Sequence, residues 1–157
     1  TTYAANAIRG LSRAGYRTGG AKLTGTTRMK DLCIMKDSGA DPVFGFVDFM
    51  DELLEAADLV ISKSGGLTTC ESLAKEVPMV VSRPIPGQET HNARFLLDNN
   101  AAFHIDTPAD IRAIIDAVLD APLVLEEKRV NIRRIQKPGA TEEIVRFLMQ
   151  EARNRSQ

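Results

Sequence analysis

The sequence predicts an α/β fold, a parallel sheet with helices on both faces, and three observations carry that reading. Short continuous apolar runs alternate with longer stretches of helical spacing. The connections between them are a few residues each. Polar segments, two of them bearing glycine, follow directly after several of the apolar runs, as they do where strands feed helices in layered α/β proteins.

Taken in order, Tyr3, Ala4, Ala7, Ile8, Leu11 and Ala14 recur at helical spacing, and Gly15 ends the helix they predict over 2–14. Residues 17–24 are turn-rich, and only Ala21-Lys22-Leu23-Thr24 reads as a strand. Thr26 and Thr27 supply a cap for a helix through about Asp37, with Met29, Leu32, Cys33, Met35 and Lys36 on or near its apolar face. Ser38-Gly39-Ala40-Asp41-Pro42 ends that helix, and Val43-Phe44-Gly45-Phe46-Val47 is a buried-strand candidate. Asp48 is expected to cap a short helix over 50–57. A strand follows over 59–62, a helix over 67–76, and a strand over 79–82 after Pro78. Arg83-Pro84-Ile85-Pro86-Gly87 is irregular because its prolines remove donors and fix φ. A helix over 89–99 turns Ala93, Leu96 and Leu97 inward, and 101–105 forms a last short strand. Thr107-Pro108 starts a helix with Ile111, Ile114, Ile115, Val118 and Leu119 along one face. Pro122 opens another, and Pro138-Gly139 separates it from a final helix beginning at Thr141, with 153–157 frayed.

At 157 residues the chain is long enough for one domain with its own core. A net charge of −1 and the absence of Trp argue against a nucleic-acid binder that relies on positive charge or base stacking. Cys33 and Cys70 lack a metal-type partner set and read as reduced thiols, which fits a reducing, cytoplasmic setting. No apolar run approaches the roughly 18 residues that span a bilayer, and the N-terminus lacks the order of a signal peptide. The chain opens without Met, already in helical pattern, and reads as a piece of something longer.

Three polar segments fall at strand C-terminal ends: Val47-Asp48-Phe49-Met50, the stretch from Lys63 to Thr69, and that from Arg83 to Asn92. Ligands of parallel sheets sit outside those ends, so all three are expected along one edge. Ser64-Gly65-Gly66, after a strand and before a helix, suits an anion held by free N–H groups and the helix dipole. It equally suits a turn that only lets helix and strand pack closely. Thr68 and Thr69 can add hydroxyl donors or merely cap the helix. Glu71, a turn further on, is either surface charge or a carboxylate for two adjacent ribose hydroxyls. Lys63 is either solvated or helps neutralise a diphosphate. Gln88, Glu89 and Asn92 suit hydroxyls or amides, though Glu89 also serves as a first-turn helix acid. His91 reads as a surface residue and His104 as a satisfied strand residue. No Ser-His-acid set, metal-ligand spacing or P-loop is present, so no metal is expected. The sum is a phosphorylated, sugar-like ligand.

The segment Gly45-Phe46-Val47-Asp48, continuing through Asp58-Leu59-Val60-Ile61-Ser62-Lys63-Ser64-Gly65-Gly66-Leu67-Thr68-Thr69-Cys70-Glu71, resembles the C-terminal domain of GT-B glycosyltransferases of family 28. Arg83-Pro84-Ile85-Pro86-Gly87-Gln88-Glu89-Thr90-His91-Asn92-Ala93 is especially similar to the diacylglycerol group of that family, the monogalactosyldiacylglycerol synthases and processive glucosyltransferases. The peptidoglycan GlcNAc transferases usually differ at that point. The resemblance covers roughly 21–115 and, more loosely, 138–148.

It implies a Rossmann-like sheet, the C-terminal half of a GT-B fold, that binds a UDP-sugar as co-substrate with no cofactor. Phe46, Val47 and Met50 would hold the uracil. Ser64, Gly65, Gly66, Leu67, Thr68 and Thr69 would receive the diphosphate, Glu71 the ribose, and Gln88, Glu89 and Asn92 the donor sugar. The chain departs from the family by starting in the helix after the first strand and Gly-rich loop. The acceptor site and general base are expected in an N-terminal domain that it lacks, so the isolated chain is expected to be inactive. A hexosyl transfer from UDP-glucose, UDP-galactose or UDP-GlcNAc to a lipid, with diacylglycerol foremost, is the leading expectation. A UDP-GlcNAc transferase, of the peptidoglycan lipid type or as the donor subunit of a two-chain enzyme, and a non-catalytic nucleotide-sugar module are the alternatives. The full enzyme is expected in the cytoplasm, peripheral to a membrane.

Overall fold

The computed structural model describes residues 2–21, 29–45, 47–82, 86–107 and 109–155. Helices and strands alternate: α1 (Thr2–Arg13), β1 (Thr18–Ala21), α2 (Met29–Asp37), β2 (Ala40–Phe44), α3 (Met50–Glu55), β3 (Val60–Ser62), α4 (Gly66–Ala74), β4 (Met79–Ser82), α5 (Gln88–Asp98), β5 (Ala102–Ile105), α6 (Asp110–Asp120), α7 (Leu123–Ile135) and α8 (Ala140–Arg155). Every strand pair is parallel. Where the sequence predicts one sheet, the described residues form two, β1-β2 and β3-β4-β5. Among the described residues no ladder bonds join β2 to β3, and α1 bridges the two sheets instead. Its Ile8 packs with Met35 and Ala40 beside β2, and its Ala7 packs with Val80, Ile105, Ile111 and Ile115 against the three-stranded sheet.

The middle strand β4 organises the core. Met79 and Val81 face Leu54 of α3, Ala93 and Leu96 of α5 and Ile132 of α7; Val80 faces α1 and α6 on the other side. Val80 and Val81 are wholly inaccessible, which explains why this strand reads as an unbroken apolar run. Each such side chain contributes about 1.5–3 kcal/mol through burial. Helices therefore lie on both faces, as predicted.

Several predicted boundaries move, each for a tertiary reason. The first strand is β1, Thr18–Ala21, rather than 21–24, of which Lys22, Leu23 and Thr24 lie outside the described residues. Glycine suits this strand, since a Cβ on Gly20 would stand 3.2 Å from the Met35 sulfur and crowd α2 on the sheet. Buried Thr18 adds a hydrogen bond to the Gly39 carbonyl (3.3 Å). The second strand starts at Ala40 rather than Val43 and includes Pro42, which β2 tolerates as an edge strand. Met29 and Cys33 are exposed, so the inner face of α2 rests on Met35. The expected caps Thr26 and Thr27 lie outside the described residues.

Further along, α3 is capped by Phe49 rather than Asp48, with no side-chain cap bond, and it stops at Glu55. Phe49 meets Phe44 edge-on, with ring centroids 6.0 Å apart, which draws it out of the helix. The α6 helix begins at Asp110, later than the expected Thr107-Pro108; Pro108 is outside the described residues. Asp110 reaches back to accept the Asp106 and Thr107 N–H groups at 2.9 and 2.7 Å, as a first-turn acid does, and these bonds hold its carboxyl below its ordinary range. The remaining elements agree with prediction to within a residue or two, except that α8 stays helical through Arg155 where fraying is predicted from Arg153. α8 stands apart: none of its residues is buried, and Ile144, Val145, Phe147, Leu148 and Met149 are exposed.

Candidate functional site

Parallel register sets the geometry. Ser62 pairs with Val81, and Val81 pairs with His104, so β3, β4 and β5 end nearly level. Neighbouring strands lie about 5 Å apart, so the C-terminal ends of β3 and β4 lie side by side at one edge. Each leads into a helix, α4 and α5, whose N-cap is a glycine with no side-chain cap bond: Gly65 and Gly87.

In α4 the first intrahelical bond runs from the Thr69 N–H to the Gly65 carbonyl (2.9 Å). The N–H groups of Gly66, Leu67 and Thr68 stand ahead of it, at the positive end of the dipole. Among the described residues, a Cβ built on Gly65 meets nothing within 4 Å, and one on Gly66 meets only the Gln88 Nε2 at 3.7 Å, an ordinary contact. Neither glycine has positive φ. Close packing of helix on strand, the bland account of this turn, therefore does not explain them. What they leave is bare backbone facing open space, the surface an anion can approach.

Gly87 is the opposite case. Its φ of 116° lies where L side chains rarely go, and from it α5 starts with Gln88 exposed and Glu89 half-buried. The Ser64 hydroxyl, which donates to the Glu89 carbonyl, shows that the two helix starts adjoin.

The structure separates residues that the sequence groups together. Thr68 is half-buried at the α4 start, whereas Thr69 turns inward, and its hydroxyl is buried without a partner among the described residues. Ser64 is wholly inaccessible, and its hydroxyl donates to the Glu89 carbonyl at 2.6 Å. Asn92, half-buried, donates its amide to the Ser64 carbonyl at 2.9 Å. Ser64 and Asn92 thus join the two segments to each other, a role that local pattern did not show; polar residues at positions flanking buried strands were the available signal.

Glu71 is exposed on α4 in the same stripe as Leu67, itself 81% exposed, and makes no hydrogen bond or ion pair among the described residues. Lys63 is exposed immediately after β3. Of the expected base-binding residues, Val47 is half-buried, Met50 lies against the main core cluster, and Phe46 is outside the described residues, as are Arg83, Pro84 and Ile85. His91 is exposed, and His104 pairs with Asp106 at 3.1 Å near the end of β5. Among the described residues no three His, Cys, Asp or Glu side chains are grouped to hold a metal, and no helix is long and apolar enough to cross a membrane. A concavity along α8, lined by Arg146, Met149, Gln150, Arg153 and Asn154, includes none of the strand-end residues.

Comparison with known proteins shows the family and the fold. The chain is 32% identical over 124 residues to a processive diacylglycerol beta-glucosyltransferase of Bacillus mycoides (strain KBAB4), and 31% identical to the protein of that name in Bacillus thuringiensis (strain Al Hakam). Each alignment covers 78% of this chain and 32% of the relative, so the chain spans about a third of the length of the curated relatives it matches. Its fold is that of GT-B glycosyltransferases. Acinetobacter baumannii MurG superposes with a TM-score of 0.68 at 21% identity, over 92% of this chain and 53% of that one. Phytolacca americana UGT2, solved with UDP-2fluoro-glucose and pterostilbene, superposes with a TM-score of 0.62 at 17% identity, over 93% and 37%. Residues 25–144 match the glycosyltransferase family 28 C-terminal domain, and the chain belongs to that family.

Proposed function

We propose that the chain is the donor-binding half of a UDP-sugar-dependent glycosyltransferase that moves a hexosyl group to a lipid, with diacylglycerol as acceptor. The observation that carries this reading is the bare backbone at Gly65 and Gly66, at a helix start beside that of α5, where no packing requirement accounts for glycine. In this reading the N–H groups of Gly66, Leu67 and Thr68, with Lys63, hold the diphosphate. Glu71, free on the exposed stripe of α4, accepts the two ribose hydroxyls. Val47, with Phe46 and Met50, flanks the uracil, and Gln88 and Glu89 meet the sugar. Diacylglycerol as acceptor is supported by the names of the relatives and by the Pro86-Gly87-Gln88-Glu89 sequence.

A base outside these residues takes the proton of the acceptor hydroxyl. The hydroxyl oxygen bonds to the anomeric carbon as the bond to the β-phosphate oxygen breaks, and the electron pair leaves with UDP. The helix start stabilises that departing charge with dipoles already in place, so no reorganisation is required at the moment of reaction.

Titration of UDP into the full-length protein and its Glu71→Ala variant tests the donor site. The expected loss is roughly tenfold to a hundredfold, the worth of charge-assisted hydrogen bonds. Equal affinities sink the ribose role. Turnover assays with diacylglycerol and UDP-glucose, UDP-galactose or UDP-GlcNAc then identify the sugar. Turnover confined to UDP-GlcNAc and a peptidoglycan lipid favours the other branch of the family, and none at all with any pair favours a nucleotide-sugar-binding module.

A further inference from the structure

We infer that Ser64 and Asn92 are positioning residues: together they tie the α4 start to the α5 start, so that diphosphate and sugar are bound by one rigid unit. This rests on the donor-site reading above. The tie is reciprocal and spans 25 to 28 residues of sequence. The Ser64 hydroxyl donates to the Glu89 carbonyl at 2.6 Å, and the Asn92 amide returns a bond to the Ser64 carbonyl at 2.9 Å. A carbonyl only accepts, so the Asn92 atom facing it must be the NH2, which fixes the orientation of the amide.

Ser64 is wholly inaccessible, so its hydroxyl is spent within the protein. It immediately precedes the Gly65 N-cap, and Glu89 follows the Gly87 N-cap by two residues. Both bonds therefore act at the hinge of each helix start. The glycines that leave the phosphate-facing backbone bare also carry no Cβ to brace it, and Gly87 occupies a φ of 116° that L side chains rarely adopt. Bound geometry is only as good as the groups that hold it, and a displacement of about 1 Å at a site of this kind is costly. The Ser64–Asn92 tie restores the rigidity that the glycines remove.

A direct sugar contact by Asn92 and a positioning role predict different patterns. UDP and UDP-glucose are titrated into the full-length protein, Ser64→Ala, Asn92→Leu and the double variant. Asn92→Leu keeps the branched heavy-atom shape and adds no charge near the phosphates. Under the positioning role each single variant weakens UDP and UDP-glucose by the same factor, roughly three- to tenfold. The double variant loses little more than the worse single, because both act through one link. Loss confined to UDP-glucose in Asn92→Leu, with UDP unchanged, overturns the inference in favour of direct sugar contact. So do losses that multiply.

Amide exchange supplies a readout without ligand. Protection of the Thr69 amide, bonded to the Gly65 carbonyl, and of the Thr90 amide, bonded to the Gly87 carbonyl, falls together in each variant while Val80 stays protected. Lowered protection with unchanged UDP affinity overturns positioning and leaves the donor site standing. A wild-type protein that binds no UDP sinks the donor reading itself, and the positioning role with it.

Discussion

The two edges of the three-stranded sheet are built on opposite plans. At the N-terminal edge nearly every charge is used. Arg133 lies 2.8 Å from Glu76 and 2.6 Å from Glu126, Arg129 lies 3.2 Å from Asp58, and Lys75 lies 2.8 Å from Glu55. Buried Lys128 bonds the Asn100 side chain and sits 4.9 Å from the Phe103 ring centroid; burial pushes its pKa down. At the C-terminal edge Lys63 and Glu71 face solvent without a partner among the described residues, and the starts of α4 and α5 carry no side-chain cap. One edge fastens α7 to the sheet. At the other, beside the Ser64–Asn92 and His104–Asp106 pairings, Lys63 and Glu71 stay unpartnered among the described residues, which leaves a place for a ligand. Sheet polarity explains the division, because parallel strands direct helix N-termini to one edge and helix C-termini to the other.

Disturbing the strand common to both edges should have the largest effect. Met79→Ala is expected to cost about 2–5 kcal/mol, and in chemical denaturation it should carry down both edges together; a loss under about 1 kcal/mol would mean that the core relaxes around the cavity. Next comes a substitution that sets the edges apart. Gly66→Ala, with room for its Cβ, should leave stability unchanged or raise it by up to ~1 kcal/mol, while UDP affinity drops roughly tenfold as a methyl group enters the phosphate approach. Unchanged affinity would remove Gly66 from the site.

The smallest effect belongs to the N-terminal edge. Arg133→Ala should lower the Tm modestly and leave UDP affinity alone; a matching loss of affinity would show that the edges are coupled. The same pair has a pH signature. Arg133 and Gln136 hold the Glu76 carboxyl below its ordinary value near 4.5, so its stabilisation is complete above that pH and is lost as pH falls through the lowered folded value. Acid denaturation of Glu76→Gln should lack that contribution, and a profile identical to wild type would refute it.

Local pattern was enough for much of this. The buried run Met79–Ser82, the glycine turn after β3 and the inward face of α5 are all legible because periodicity and glycine placement report burial and backbone freedom directly. Less legible were β1 and β2, where Gly20 and Pro42 signal turns in isolation. The room that Gly20 leaves for Met35, and the edge position of β2, suit both residues to strands.

For the site the boundary is sharper still. From the amino-acid sequence alone came the three strand-end segments, Glu71 as either surface charge or ribose carboxylate, and the family resemblance, all properties of residue type and spacing. Only the tertiary structure decided that Gly65 and Gly66 are not there for packing, that Thr69 faces inward, and that the hydroxyl of Ser64 and the amide of Asn92 face each other's segments. The two hydrogen bonds join atoms 25 and 28 residues apart in the chain, and no local preference encodes which partner a buried hydroxyl will meet.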